Sequence, residues 1–398
     1  MKQHLSFSAL LAGLIAVVIS YAGPLVIVFH AANAAHLSAA QTSSWIWAVS
    51  IGSGLTGLWL SWRLKTPVIT AWSTPGAALL VGVLPTVGYA EAIGAYIVAA
   101  LLITALGASG AFDKVIARLP RSIAAAMLAG ILFRFGAELF TSVKAQPLLV
   151  LSMFAGYLLM KRLSARYAIA AVLLVGVGLS AALGLLHADT LAIAPALPLW
   201  TTPAFSLHAI VSLGLPLALV TLTGQYVPGM AVLRSAGYPA PASRIVAGTG
   251  LASALLAPFG AHGVNLAAIT AAICTGPEAH EDPRRRYIAG LSCGACYLVI
   301  GSFGATLAGL FAALPKEMIA ALAGLALFGA IANGLTGAMA DERQREPALI
   351  TFLVTASGMS LLGLGAAFWG IVFGLVAHTV LGLTLKRPTA QPAQARPA

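Results

Sequence analysis

The sequence predicts an all-α integral membrane fold of fourteen transmembrane segments, arranged as two inverted seven-helix repeats, and three observations lead to it. First, 60% of the 398 residues are hydrophobic and only 8% are charged, against roughly 45–50% and about 25% in ordinary soluble domains. Second, mostly apolar windows near the length of about 20 residues that crosses a bilayer recur fourteen times between charged or Pro/Gly-rich breaks. Third, the cations alternate. With both termini cytoplasmic, 19 of the 22 Lys and Arg residues fall in or beside cytoplasmic segments, as the positive-inside rule requires.

The windows are 8–29, 42–62, 67–84, 90–111, 122–140, 146–160, 168–186, 208–232, 243–258, 262–276, 287–313, 317–335, 346–364 and 367–386. The run Leu10–Ile19 after Lys2 superficially looks like a secretory leader. It is kept as the first span, because removing it would move every later loop to the other side. Only Lys144 and Lys316 fall in outside loops, and Arg134 lies inside a span. The longest external loop, 187–207, carries Pro195, Pro198 and Pro203 and divides the chain into repeats at 1–187 and 205–386. Seven is odd, so the second repeat enters from the opposite side, the inverted architecture of many secondary transporters. A disordered cytoplasmic tail is expected at 387–398. The 41 glycines suit close helix packing in lipid.

The third and tenth segments are short and broken. In the third, Thr66-Pro67-Val68-Ile69-Thr70 is extended in character, whereas Ser73 or Thr74 ahead of Pro75 and Gly76 is a helix start, a capping hydroxyl before a first-turn proline. In the tenth, Gly260 and Gly263 precede Asn265, again a capping type, and then helix formers. Two helices beginning in mid-membrane from opposite sides would present unpaired N–H groups and partial positive charge to one another, a site for an anion such as a carboxylate. The other reading is that Pro75 and the glycines only kink two ordinary helices.

The eighth span carries Gln225, a polar group that needs a partner at membrane depth; it either faces the substrate or makes an interhelical hydrogen bond. Tyr21 offers an aromatic wall or simple packing. His262, of a type that titrates near neutrality, is the candidate for a coupling proton, since the eighth and tenth spans hold no acidic residue. Arg134 and Glu138, four apart on the fifth span, are expected to neutralise one another. His30, His208 and His378 read as packing or interfacial.

The net charge of +11 sits in small clusters between apolar runs and marks topology, so no nucleic-acid partner is expected. Cys293 and Cys296 form a C-x-x-C without a second ligand pair, and Gly290-Leu291-Ser292-Cys293-Gly294 matches a nucleophile elbow outside the strand-turn-helix setting it needs. No nucleotide loop or zinc-protease motif is present. Neither enzyme activity, cofactor nor metal is expected. What remains is carriage of a small solute.

Three stretches, Ile69–Leu79, Val227–Tyr238 and His262–His280, resemble the benzoate/proton symporter (BenE) family, and the resemblance covers essentially the whole chain. It implies uptake of benzoate or a similar aromatic carboxylate with a proton, across a bacterial inner membrane. Through a distant likeness to uracil permeases and sulfate-type anion carriers it also implies a core domain, 8–111 with 208–313, and a gate domain, 122–186 with 317–386. Uracil-type carriers place an acidic residue on the eighth span where this chain has Gln225, so the proton's route stays open. On this reading substrate binding falls to Tyr21, Ser73, Thr74, Gly76, Gln225, Gly263 and Asn265. The partners are an anionic small molecule, a proton and membrane lipid, and Gly-rich gate helices are compatible with a homodimer. A nucleobase or inorganic-anion carrier of the same fold, and a passive anion channel, are the alternatives.

Overall fold

A computed structural model describes residues 6–22, 24–118, 120–164, 168–186, 193–239, 241–267, 269–277, 279–362 and 364–382. The expected tail at 387–398 and part of the expected external loop, 187–192, lie outside the described residues. The first half runs α1 (Phe7–Ala22), α2 (Pro24–Ala34), α3 (Ala39–Leu64), β1 (Thr70–Trp72), α4 (Thr74–Val83), α5 (Tyr89–Ala108), α6 (Phe112–Arg118), α7 (Arg121–Ser142), α8 (Pro147–Ser164) and α9 (Ala168–Ala182). The second half begins with α10 (Leu207–Arg234). It continues through α11 (Ala242–Leu256), β2 (Val264–Leu266), α12 (Ile269–Thr275), α13 (Tyr287–Gly301), α14 (Gly304–Ala312), α15 (Lys316–Met339), α16 (Arg345–Ser357), β3 (Ser360–Leu361), β4 (Leu364–Gly365) and α17 (Ala366–Gly382).

Local chemistry sets several boundaries. Ser38 and Gln41 form a reciprocal capping box at the start of α3, satisfying N–H groups that a helix start leaves unpaired. Helix α10 is interrupted by two π-turns, Ile210–Gly214 and Leu222–Tyr226, each just ahead of a proline, Pro216 or Pro228. A proline lacks the N–H its preceding turn expects and crowds the carbonyl there, so the wider turn accommodates it.

Among the described residues, seven helices are long and apolar enough to cross a membrane by length and composition, and an eighth crossing results if Pro283–Gly301 and Gly304–Phe311 are taken together. That pair is bent by 73°, so the window expected as one span, 287–313, is two helices meeting at Ser302–Phe303. The count of fourteen is not reached by this measure, for physical reasons. The third and tenth segments spend residues on strands, and α3 buries Ser43, Ser44, Ser50, Ser53, Thr56 and Ser61 while turning Leu55, Trp59 and Trp62 outward. Polar side chains inside and apolar ones outside is the pattern of a helix whose solvent is lipid.

Two sets of helices pack closely. In one, α3 lies along α13, α5 along α11, and α1 on α12 and α13. In the other, α7 lies along α15 and α16, α17 on α16, and α8 on α9 and α15.

Candidate functional site

β1 and β2 pair antiparallel, Thr70 opposite Leu266, Ala71 opposite Asn265 and Trp72 opposite Val264, and the ladder is extended by Ala267 N–H to the Ile69 carbonyl at 2.8 Å. Each strand leads into a helix, so α4 and α12 leave opposite ends of the ribbon in opposite directions. Corresponding pieces of the two halves thus meet in inverted orientation.

An irregular backbone at membrane depth must find partners within the protein, and each half uses the same device. On α3, Ser61 Oγ accepts from the Val68 N–H and donates to the Val68 carbonyl, both at 3.1 Å. On α11, Ser253 Oγ accepts from the Val264 N–H at 2.8 Å and donates to the Val264 carbonyl at 3.1 Å. Thr70 Oγ1 donates to the Ser53 carbonyl at 2.6 Å and accepts from Thr56 at 3.1 Å.

Ser73 is the node of the crossing. It caps α4, its Oγ accepting from the Gly76 N–H at 3.0 Å, and the same oxygen accepts from Thr221 Oγ1 on α10 at 3.1 Å. Its carbonyl accepts from His262 Nε2 at 2.9 Å and also receives the Ala77 N–H. Pro75 has no N–H. The expected array of bare amides at this helix start is therefore largely satisfied from within, and what α4 presents is its dipole end and the half-exposed Thr74. Gly76 is required by a close approach: a Cβ there would fall 2.7 Å from Leu217 Cδ1 of α10.

On the second broken segment, Asn265 does not cap a helix. It lies within β2, because the ribbon claims its backbone, and α12 starts later, at Ile269. With its amide oriented so that donors meet acceptors, Asn265 Oδ1 accepts from the Ser73 N–H at 3.2 Å and Nδ2 donates to Tyr226 Oη at 3.3 Å. Gly263 takes φ 155°, and a Cβ there would press on the Asn265 side-chain amide at 3.1 Å. His262 is engaged at both ring nitrogens. Nδ1 accepts from Trp45 Nε1 at 2.9 Å while Nε2 donates to Ser73, which defines the neutral Nε2–H tautomer. A second proton would set Nδ1–H against the indole N–H.

Tyr21 stands one layer behind. Its hydroxyl donates to Ser50 Oγ at 2.6 Å, and its ring meets Trp72 and Tyr297 at centroid distances of 5.4 and 5.8 Å. Gln225 lies buried in the second π-turn of α10, beside Gly224, which faces Pro75 of α4. The structure thus joins Ser73, Gly76, His262 and Asn265 directly, and sets Thr74 and Gln225 at the margin. Sequence reasoning missed Trp45, Thr221, Tyr226, Ser61 and Ser253; the available signal was hydroxyl residues recurring on one face of the helices flanking each broken segment.

A cavity of about 510 Å³ opens beside α4, lined by Ala78, Leu79, Gly82, Ile131, Phe135 and Met359 as well as His30, Arg134 and Glu138. Here the expected Arg134–Glu138 pair is not formed. Glu138 instead faces His30 Nε2 on α2 at 3.7 Å, since its rotamer is set by a neighbour from another helix rather than by helical spacing. The other motifs are absorbed by packing: Ser292 Oγ donates to the Leu10 carbonyl, and Cys293 and Cys296 are free thiols within α13.

Known proteins resemble this chain in sequence and in fold. Residues 3–380 match the family described as benzoate membrane transport protein. The chain is 49% identical over 381 residues to the benzoate membrane transport protein of Acinetobacter baylyi, covering 96% of this chain and 97% of that one. It is 44% identical over 378 residues to the inner membrane protein YdcO of Escherichia coli, covering 95% and 97%. Among solved structures it aligns with SLC26A9 at a TM-score of 0.64 and 14% identity, over 94% of this chain and 65% of that one. With the transmembrane domain of the cyanobacterial bicarbonate transporter BicA the values are 0.53 and 16%, over 94% and 96%. At such identities the likeness is one of fold, the all-α membrane architecture of two inverted seven-segment repeats.

Proposed function

This chain belongs to the benzoate membrane transport protein family, membrane transporters and not enzymes, and on that premise we propose that it imports benzoate or a related aromatic carboxylate together with a proton. The observation that carries this reading is the buried start of α4 at the crossing of two inverted segments, where a helix dipole favours negative charge without a full cation. The carboxylate meets Thr74 and the dipole end of α4, whose first turn is shaped by Ser73 and Gly76. Gln225 orients it from the π-turn of α10, and the aromatic layer of Tyr21 and Trp72 backs the ribbon. Asn265, Gly263 and His262 hold the two broken segments in register. With its imidazole committed as a neutral clamp, His262 is a poor carrier for the proton, and the His30–Glu138 pair is the better-placed acid–base group.

Transport follows alternating access, the core (8–111 with 208–313) moving against the gate (122–186 with 317–386) in a bacterial inner membrane, with both termini cytoplasmic. The division agrees with the two packed helix sets. The test is radiolabelled benzoate uptake into proteoliposomes under an imposed inward proton gradient. Accumulation above the outside concentration that collapses with an uncoupler is expected. Equilibration without accumulation would point to a passive pore, and displacement by bicarbonate or uracil rather than by substituted benzoates would reassign the cargo.

A further inference from the structure

An arginine inside a membrane span is costly unless it faces a partner, a cavity or a pathway. Arg134 is such a residue, within α7 and on the wall of the 510 Å³ cavity. Among the described residues its guanidinium has neither a hydrogen bond nor an ion-pair partner, because Glu138, the acid at helical spacing, is held by His30 at 3.7 Å. The guanidinium lies between two backbones. A Cβ on Gly358, the left-handed cap of α16, would fall 3.1 Å from Nη1, and one on Gly82 of α4 would fall 3.8 Å from it. The glycines leave room for the charged head where α4 faces the α7–α16 group.

We propose that this cavity is a second binding station for the cargo, with Arg134 taking the carboxylate and the apolar wall of Ala78, Leu79, Ile131, Phe135 and Met359 taking the ring. The inference rests on the reading of an aromatic carboxylate as cargo. A guanidinium offers a planar fork of donors that matches a carboxylate's two oxygens, and the cavity lies within the range of about 300–1,000 Å³ typical of small-molecule sites. The station differs from the crossing in its chemistry: a full cation, against the dipole end and neutral groups at Ser73–Gly76. His30 and Glu138 are the other titratable groups on its lining. Glu138 lies toward His30 at 3.7 Å and makes no ion pair with Arg134, whose guanidinium is left to the anion.

The experiment measures equilibrium binding of benzoate and of its neutral isostere benzamide to the purified protein, for the wild type, Arg134→Gln and Arg134→Lys. Arg134→Gln should weaken benzoate binding by about tenfold or more, the size of a lost charge-assisted bond, and leave benzamide binding unchanged. Arg134→Lys should recover part of the difference. Independently of any variant, saturating benzoate should slow modification of Arg134 by phenylglyoxal in the wild-type protein, read by peptide mass spectrometry. Equal benzoate affinity in Arg134→Gln, or modification of Arg134 at the same rate with benzoate bound, overturns the station while leaving benzoate transport standing. Failure of the wild type to bind benzoate at all removes the cargo reading and the station with it.

Discussion

Ser73 shows how one buried residue can fix a crossing, since its amide, carbonyl and hydroxyl each reach a different partner: Asn265, His262, and the pair Gly76 and Thr221. His262 is the most constrained of these partners. Replacing Trp45 by Phe removes the donor on Nδ1 and leaves a buried acceptor unsatisfied, a loss of roughly 1–3 kcal/mol. The expected outcome is a lower melting temperature in detergent, with Nδ1 becoming protonatable in histidine-labelled NMR spectra; a wild-type melting curve would show the clamp to be idle. The capping role of a hydroxyl before Pro75 was legible in the sequence because it is a local signal. Asn265 was misread for the opposite reason. Its side chain looks like a cap, but its partner Ser73 belongs to the other half of the chain, as does the partner of His262, 189 positions away. Arg134 and Glu138 were misread similarly, for helical spacing says who can meet and not who does.

At the scale of elements, the broken segments depend on hydroxyls lent by α3 and α11. Each serine serves both the N–H and the carbonyl of one residue in or just before a strand, so its loss leaves two buried polar groups unpaired at once. Ser253→Ala should destabilise the protein by roughly 1–3 kcal/mol or more, and Ser61→Ala by a similar amount. The two effects should add, because the serines sit on different helices and share no partner. Thermal unfolding of the two single variants and the double variant checks this, and a neutral Ser253→Ala would mean that water replaces the hydroxyl. Periodicity could reveal that segments three and ten were short and interrupted. It could not reveal strands, because three residues are too few for an alternating pattern to stand out, and pairing between distant segments leaves no local trace. The π-turns of α10 were legible only as prolines.

For the whole molecule, composition and the alternation of cations carried the fold class, because lipid imposes the same demand on every segment. The length-and-composition count fell short where helices bury Ser and Thr against one another. The two packed helix sets make a mechanical prediction. Cysteines at Gly82 and Gly358, which both approach the Arg134 guanidinium, joined by a short cleavable thiol linker in a background lacking Cys274, Cys293 and Cys296, should abolish uptake. Cleaving the linker should restore it; uptake that persists while the sets are tethered would argue against their relative motion. The ribbon of β1 and β2 also bears on how the chain is made. Because β1 finds its mate only in the second repeat, the first half leaves the ribosome with an open edge that nothing in that half can close. Insertion and maturation are then separate events, the first complete segment by segment and the second waiting for residues 264–266 to arrive.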